Sequence, residues 1–177
     1  MVFPGRPAKS TKTAAGAEKP QHPRLDPHAS LDESGATRLF RTDPPMSPRP
    51  LSPTLWASPQ LAPAALPGLA EAGVRRIISN RPDHEDPGQP TAAEMEAAAK
   101  EAGLSFLWIP VSGMPAPDQV QAVAEALVDG QPTVLFCRSG MRSAAIWAMS
   151  ERSKGADEED LRTAAAAAGY DLSRLPL

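Results

Sequence analysis

Residues 133–149 have the sequence TVLFCRSGMRSAAIWAM, a short apolar run followed by a polar loop and a second apolar run. The first run predicts a buried strand, and the second predicts a helix that begins near Ser143. Cys137, the only cysteine of the chain, lies where this strand ends, and Arg142 lies where the helix begins. That order of elements predicts a cysteine thiolate in a loop that binds anions.

Several groups in the predicted loop favour the thiolate form of Cys137 over the thiol. The backbone N–H groups of residues 138–142 can surround the sulfur, and the positive end of the following helix faces it. Gly140 permits a turn with positive φ. Arg142 offers two parallel donors to an anion, and Ser143 can cap the helix or hydrogen-bond the sulfur. A buried structural cysteine is the alternative, and it is typical of a lone cysteine without such neighbours.

Composition narrows the classes of function. The 177-residue chain has a formal net charge of −3, which gives no reason to expect nucleic-acid binding. A single cysteine excludes an internal disulfide and a multi-thiolate metal site, and it suits a reducing cytoplasm. The start of the chain lacks the apolar core of a signal peptide, and no segment approaches the roughly 20 apolar residues that span a bilayer. We therefore expect a cytoplasmic protein that binds neither nucleic acid nor membrane.

Residues 1–50 differ in composition from the rest of the chain. They contain nine of the 21 prolines and show almost no apolar periodicity. Their eight basic and five acidic residues make them weakly basic. Such a segment buries too little apolar surface to offset the entropy of ordering, so it is predicted to be a disordered tail. A binding arm for an acidic partner is the alternative.

Residues 51–177 show alternating strand and helix signals, which predict one α/β domain with a mainly parallel, four-stranded sheet flanked by helices. Trp108 and Trp147 are predicted core residues. Trp56 is either a core residue or part of the site entrance. The predicted strands are residues 55–57, 74–79, 104–111 and 132–136, and the predicted helices begin near Pro63, Thr91, Pro117, Ser143 and Asp157.

The number of residues between Cys137 and Arg142 distinguishes two known kinds of loop. Cysteine-dependent phosphatases place five residues between cysteine and arginine, whereas this chain has four. The segment CRSGMR, residues 137–142, resembles the rhodanese motif Cys-Arg-x-Gly-x-Arg at each fixed position. This resemblance implies a cradle that suits the outer sulfur of a cysteine persulfide better than a tetrahedral phosphate.

The wider chain resembles the phosphatase-like domain of beta-lactamase-hydrolase-like proteins, which are often labelled family sulfur transferases. The similarity covers roughly the last 125 residues and rests on IISNRPD (77–83), DPGQP (86–90), IPV (109–111) and AAGYDL (167–172) beside the cysteine loop. It implies a dual-specificity-phosphatase-like fold that carries a rhodanese-length loop.

Members of that family are fused to, or encoded beside, a metallo-β-lactamase-like persulfide dioxygenase. The resemblance therefore implies sulfide or persulfide metabolism and a persulfide dioxygenase as a partner. The three histidines of this chain (His22, His28 and His84) cannot form the metal site of that dioxygenase.

The loop after the third predicted strand lacks a general acid. A phosphatase of this fold needs a carboxylic acid near the leaving oxygen. Residues 112–115 are Ser-Gly-Met-Pro, and Asp118 follows at a helix start, where an acid favours the helix. Sulfur transfer needs no such acid, because a thiolate attacks the outer sulfur directly.

The polar loop that begins at Arg81 is expected at the same sheet edge as Cys137. Arg81 and Asp83 are predicted to bind substrate there. Asp83, His84 or Glu85 is a candidate substitute acid, and a solvated turn without function is the alternative.

We predict sulfur transfer through a Cys137 persulfide, from thiosulfate or a small persulfide donor to a thiol or cyanide, without a metal or organic cofactor. One alternative is a phosphatase that acts on a phosphate ester through a Cys137 phosphocysteine. A second is a non-catalytic module that carries persulfide or senses redox state. The predicted catalytic residues are Cys137, Arg142 and Ser143, and the predicted substrate-binding residues are Arg138, Ser139, Gly140, Met141, Arg81 and Asp83.

Overall fold

The computed structural model describes residues 47–177, which form a five-stranded sheet of order β1–β2–β5–β3–β4 flanked by helices. The strands are β1 (Arg49–Ser52), β2 (Leu55–Ser58), β3 (Arg76–Ser79), β4 (Ser105–Trp108) and β5 (Thr133–Phe136). The helices are α1 (Leu66–Glu71), α2 (Ala92–Glu101), α3 (Pro117–Ala126), α4 (Met141–Ser153) and α5 (Glu158–Ala167), and a 3₁₀ turn (Pro63–Ala65) precedes α1.

Four of the strands, β2 to β5, are parallel, as predicted. The sheet has a fifth strand, β1, which pairs antiparallel with β2 at the edge and was not predicted. Arg49 and Pro50 of this strand fall in the segment predicted to be tail. The sequence RPLS carries almost no strand signal, and its pairing with β2 makes it a strand at an edge that tolerates proline. Residues 1–46 of the predicted tail lie outside the part of the chain that the structure describes, so their disorder stays a prediction.

β5 lies at the centre of the sheet, between β2 and β3, and is buried on both faces. Leu135 packs in the core cluster that includes residues of α3, α4 and α5. Val134 and Phe136 pack on the opposite face, in the cluster that includes residues of α1 and α2. Because α4 follows β5 after only four residues, the chain turns sharply at the carboxyl edge of the central strand. This turn is the cysteine loop.

The helix starts predicted from the capping residues Thr91 and Asp157 are confirmed. Thr91 and Glu94 form a reciprocal capping box at α2, and the Asp157 carboxylate accepts backbone N–H groups at α5. Pro67 lies in the first turn of α1, where a missing N–H costs little. Within residues 47–177, no helix combines the length and apolar character needed to cross a bilayer.

The three tryptophans occupy different environments. Trp147 is buried, as predicted, and Trp56 is also in the core. Trp108 was predicted to be a core residue, but it is 46% exposed. β4 is an edge strand, so this side chain has a neighbouring strand on one side only. Its indole N–H donates to the Arg81 carbonyl at 2.9 Å and so joins β4 to the loop after β3.

Candidate active site

Cys137 is held directly after the central strand. Its side chain is fully buried, and its Sγ accepts the Gly140 backbone N–H at 3.1 Å. Gly140 is the residue that caps α4, with a φ of 89°, so the predicted positive φ is confirmed. The sequence suggested that several backbone N–H groups surround the sulfur. Within the described residues, the Gly140 N–H is the backbone group that donates to it. The sulfur therefore sits against the first turn of α4.

Tyr170 closes the other side of Gly140. A Cβ atom at Gly140 would lie 2.3 Å from the Tyr170 Oη, so the site has no room for a side chain there. The phenol is buried and donates to the Ala57 carbonyl at 3.3 Å. Burial raises the pKa of the Tyr170 phenol, which Arg49 opposes in part. Tyr170 was missed as a site residue, although the resemblance in residues 167–172 included it.

Arg142 occupies the position predicted for it, in the first turn of α4, and makes two directed contacts. Its Nη1 donates to the Val111 carbonyl at 2.7 Å, and its Nη2 donates to Glu85 Oε2 at 2.9 Å. Burial alone would lower the pKa of this guanidinium. The hydrogen bond to Glu85 and attraction to the Cys137 sulfur outweigh burial, so the pKa is raised. Arg142 is thus a permanent cation beside the sulfur.

Ser143 does not cap the helix or contact the sulfur, which corrects both suggestions made from the sequence. Gly140 is the capping residue, and the Ser143 hydroxyl donates to Asn80 Oδ1 at 2.9 Å. The Asn80 amide in turn donates to the Ile109 carbonyl at 3.1 Å. Ser143 and Asn80 are both fully buried. The pair ties the start of α4 to the ends of β3 and β4, and sequence reasoning had assigned Asn80 no role.

The side chains predicted to bind substrate in the loop after β3 have protein partners in the structure. Arg81 is 5% exposed, and its donors meet Glu85 Oε2 at 2.9 Å, Gln60 Oε1 at 2.7 Å and the Asp86 carboxylate. Asp83 Oδ1 accepts the Ala92 backbone N–H at 2.8 Å, at the first turn of α2. The roles predicted for Arg81 and Asp83 in binding therefore stay predictions.

The exposed residue Arg138 of the cysteine loop pairs with Asp86, in the loop after β3. Arg138 is 64% exposed in its side chain, and its Nε lies 3.1 Å from Asp86 Oδ2. Ser139 is exposed, and its hydroxyl accepts the Met141 N–H at 3.4 Å. Glu85 was predicted only as a candidate substitute acid, and Asp86 was not predicted as a site residue, although the density of charge in residues 81–86 was a signal for both.

Glu85 is the carboxylate that contacts Arg142, and its lowered pKa favours the ionised form at neutral pH. The hydrogen bond from Arg142 lowers the pKa of its carboxyl, burial opposes this in part, and Arg81 adds to the lowering. An acid with a lowered pKa is a poor proton donor at neutral pH. Residues 112–115 supply no carboxylate, and Asp118 lies exposed in the first turn of α3. Along the part of the chain that the structure covers, no three of the His, Cys, Asp and Glu side chains are grouped so as to hold a metal ion.

A cavity of about 480 Å³ lies between the loop after β3 and the loop after β4, and residues of the cysteine loop do not line it. Pro82 and Ser112, which line it, follow Arg81 and Val111 in sequence. Two exposed apolar side chains also line it, Trp108 and Met114, the second of them 57% exposed.

The family comparison agrees with the sequence resemblance. Residues 48–156 match the profile of a family described as "Beta-lactamase hydrolase-like protein, phosphatase-like domain". The beta-lactamase hydrolase-like protein of Xylella fastidiosa (strain Temecula1 / ATCC 700964) is 37% identical over 109 residues, which are 60% of this chain and 25% of that protein. The chain thus spans about a quarter of the length of the curated relatives it matches.

Solved structures confirm the predicted cysteine-phosphatase-like α/β fold. A putative phosphatase from Neisseria meningitidis Z2491 is similar with a TM-score of 0.61 and 30% identity, over 70% of this chain and 89% of that one. A Cys-to-Ser form of P. aeruginosa TpbA in complex with pTyr has a TM-score of 0.55 and 20% identity, over 77% of this chain and 82% of that one. The second similarity shows the fold alone.

Proposed function

The chain belongs to the phosphatase-like domain family of beta-lactamase hydrolase-like proteins, and from this premise we propose that it hydrolyses phosphate esters through a Cys137 phosphocysteine. The observation that supports this most is the position of the sulfur: Cys137 follows the central strand, accepts the Gly140 N–H at the start of α4, and has the Arg142 cation beside it. The proposed nucleophile thus has one backbone N–H donor and one cation close to it.

In the first step the Cys137 thiolate attacks phosphorus, the S–P bond forms, and the ester P–O bond breaks as the oxyanion of the alcohol or phenol leaves and takes a proton from solvent. In the second step water attacks phosphorus, the S–P bond breaks, the thiolate is released, and the protons of the water stay with the phosphate or pass to solvent. Arg142 and the Gly140 N–H stabilise the negative charge of the phosphoryl oxygens in both steps.

The proposed substrates are aryl phosphates. The loop at residues 112–115 has no acid, and Glu85 is ionised, so the leaving oxygen receives little help from a proton donor. A phenol leaves as its anion more readily than an aliphatic alcohol does. The exposed Trp108 and Met114, in the cavity between the loops after β3 and β4, are the proposed apolar contacts to such a ring.

Sulfur transfer remains a second candidate, because four residues rather than five separate Cys137 from Arg142. The Cys137 thiolate would attack the outer sulfur of thiosulfate, the S–S bond would break, and sulfite would leave. An acceptor thiolate or cyanide would then take the outer sulfur and regenerate Cys137. Under this candidate, a thiol acceptor and a persulfide dioxygenase are the proposed partners, and the reducing cytoplasm is the proposed location.

Parallel assays separate the two candidates. The full chain is incubated with an aryl phosphate in one series and with thiosulfate plus cyanide in the other, with Cys137→Ser as the control in both. We expect phenol release that depends on Cys137. Thiocyanate formation without phenol release would reject the phosphatase in favour of sulfur transfer. Absence of both products, with one sulfur retained per chain after exposure to a persulfide, would support the non-catalytic module.

A further inference from the structure

Five charged side chains alternate in sign around the cysteine loop. Arg142 contacts Glu85, Glu85 contacts Arg81, Arg81 contacts Asp86, and Asp86 contacts Arg138. A single oxygen, Glu85 Oε2, accepts from both Arg81 Nε and Arg142 Nη2, each at 2.9 Å. Three cations therefore face two carboxylates, and a Cys137 thiolate would bring the total charge of the group to zero.

Glu85 holds the Arg142 donor that an anionic substrate needs. Of the two terminal nitrogens of Arg142, Nη1 is engaged by the Val111 carbonyl and Nη2 by Glu85. An arginine binds a tetrahedral anion best when two adjacent N–H groups point at it. A bound anion must therefore displace the Glu85 carboxylate or share Arg142 with it.

We propose that Glu85 is a specificity-determining residue whose carboxylate competes for Arg142 and so weakens the binding of dianions more than the binding of singly charged anions. The proposal rests on the anion site of the proposed function, but not on which reaction occurs there. With Glu85 present, the five side chains and the Cys137 thiolate have no net positive charge to attract the negative charges of a ligand. Repulsion by one carboxylate grows with the charge of the ligand, so a dianion is penalised about twice as much as a monoanion.

The loop can lose the Glu85 contact without losing its structure. Arg81 keeps Gln60 and Asp86 as partners when Glu85 is absent. Asp83 holds the other part of the loop to the first turn of α2. The Glu85 side chain is 27% exposed, so water reaches the position that the carboxylate leaves. Glu85→Gln and Glu85→Ala are therefore expected to fold.

The test measures anion binding by NMR titration of the full chain, with the Gly140 amide resonance as the reporter beside the sulfur. Sulfate is the dianion and methanesulfonate is the monoanion, and both present tetrahedral sulfonyl oxygens. In Glu85→Gln and Glu85→Ala we expect sulfate to bind about tenfold more tightly and methanesulfonate about threefold more tightly. Glu101→Gln removes the same charge from an exposed position of α2 and is expected to change neither.

Unchanged or weaker sulfate binding in both Glu85 variants would overturn the proposal and would make Glu85 a residue that only positions Arg142. An equal gain for the two anions would also overturn it, because charge would then not be what is selected. Anion binding does not require turnover. A chain that hydrolyses no aryl phosphate but shows the charge-dependent gain would refute the proposed function and leave this inference standing.

Discussion

Two loops at the carboxyl edge of the sheet make the site, and they differ in how they are built. Residues 137–142 bring their nucleophile, turn and cation in one contiguous segment, and their geometry follows from β5 and α4 on either side. Residues 81–86 are held mainly by side chains that reach across to Gln60, Ala92 and Arg142. We propose that the first loop carries the chemistry and that the charged side chains of the second loop set the electrostatic potential at the Cys137 sulfur.

The substitution expected to disrupt the first loop most is Gly140→Ala. The new methyl group would meet the Tyr170 hydroxyl and would also force an alanine into positive φ, so we expect a loss of about 3 kcal/mol in unfolding free energy and of most activity. Gly155→Ala is the matched control, because Gly155 also has positive φ (96°) but open space around its Cβ position. Urea denaturation compares the two. Equal losses would show that Tyr170 does not confine the loop.

Arg142→Lys tests the cation of the first loop. Lysine keeps the charge but loses the two parallel donors, so we expect kcat/KM for an aryl phosphate to fall about 100-fold. Arg152→Lys, an exposed change in the last turn of the same helix, is the control and should leave the rate unchanged. A rate within threefold of the parent in Arg142→Lys would mean that the fork geometry is not used.

The link between β3 and the first loop is the buried Ser143–Asn80 pair. Removing either partner leaves a buried polar group unsatisfied, so Ser143→Ala and Asn80→Ala are each expected to cost about 1–3 kcal/mol of unfolding free energy. The double variant should cost less than the sum of the single variants by about 1 kcal/mol. Strict additivity in denaturant unfolding would contradict a direct interaction.

The smallest expected effect concerns pH and belongs to the second loop. The lowered pKa of Glu85 means that its carboxylate stabilises the folded state above the ordinary carboxyl pKa of 4.5, and that this contribution is lost as pH falls through the folded-state pKa. Glu85→Gln should therefore lose part of the stability difference between neutral and acid pH. Unfolding measured at both pH values for the parent, Glu85→Gln and Glu101→Gln checks this. If the pH dependence of the unfolding free energy were the same in Glu85→Gln as in the parent, the pairing of Glu85 with Arg142 would contribute nothing measurable to stability.

The contrast between the loops also explains what could be predicted from sequence. The strand, Gly140 and Arg142 are encoded by neighbours along the chain, and their places in the fold were predicted correctly. The cap and the hydrogen bond to sulfur suggested for Ser143 were wrong, because its hydroxyl donates to Asn80, 63 residues away; its catalytic role stays a prediction. β1 was missed because an edge strand with proline owes its conformation to pairing with β2.

Reaction preference was harder to predict than fold, because two signals disagree. The residue count in the cysteine loop favours sulfur, whereas the family is described as phosphatase-like and the similar structure from N. meningitidis as a putative phosphatase. Charge density marked residues 81–86 as unusual, but the pairing of Glu85 with Arg142 joins residues 57 positions apart. Spacing alone does not predict such a contact.

The proposed function requires that the Cys137 sulfur becomes bonded to phosphorus. Rapid acid quenching of the full chain with an aryl phosphate, followed by mass analysis of the Cys137 peptide, tests it directly. We expect one phosphoryl group on Cys137 and none on the corresponding peptide of Cys137→Ser. An unmodified Cys137 after aryl phosphate, together with an added sulfur atom on Cys137 after thiosulfate, would contradict it.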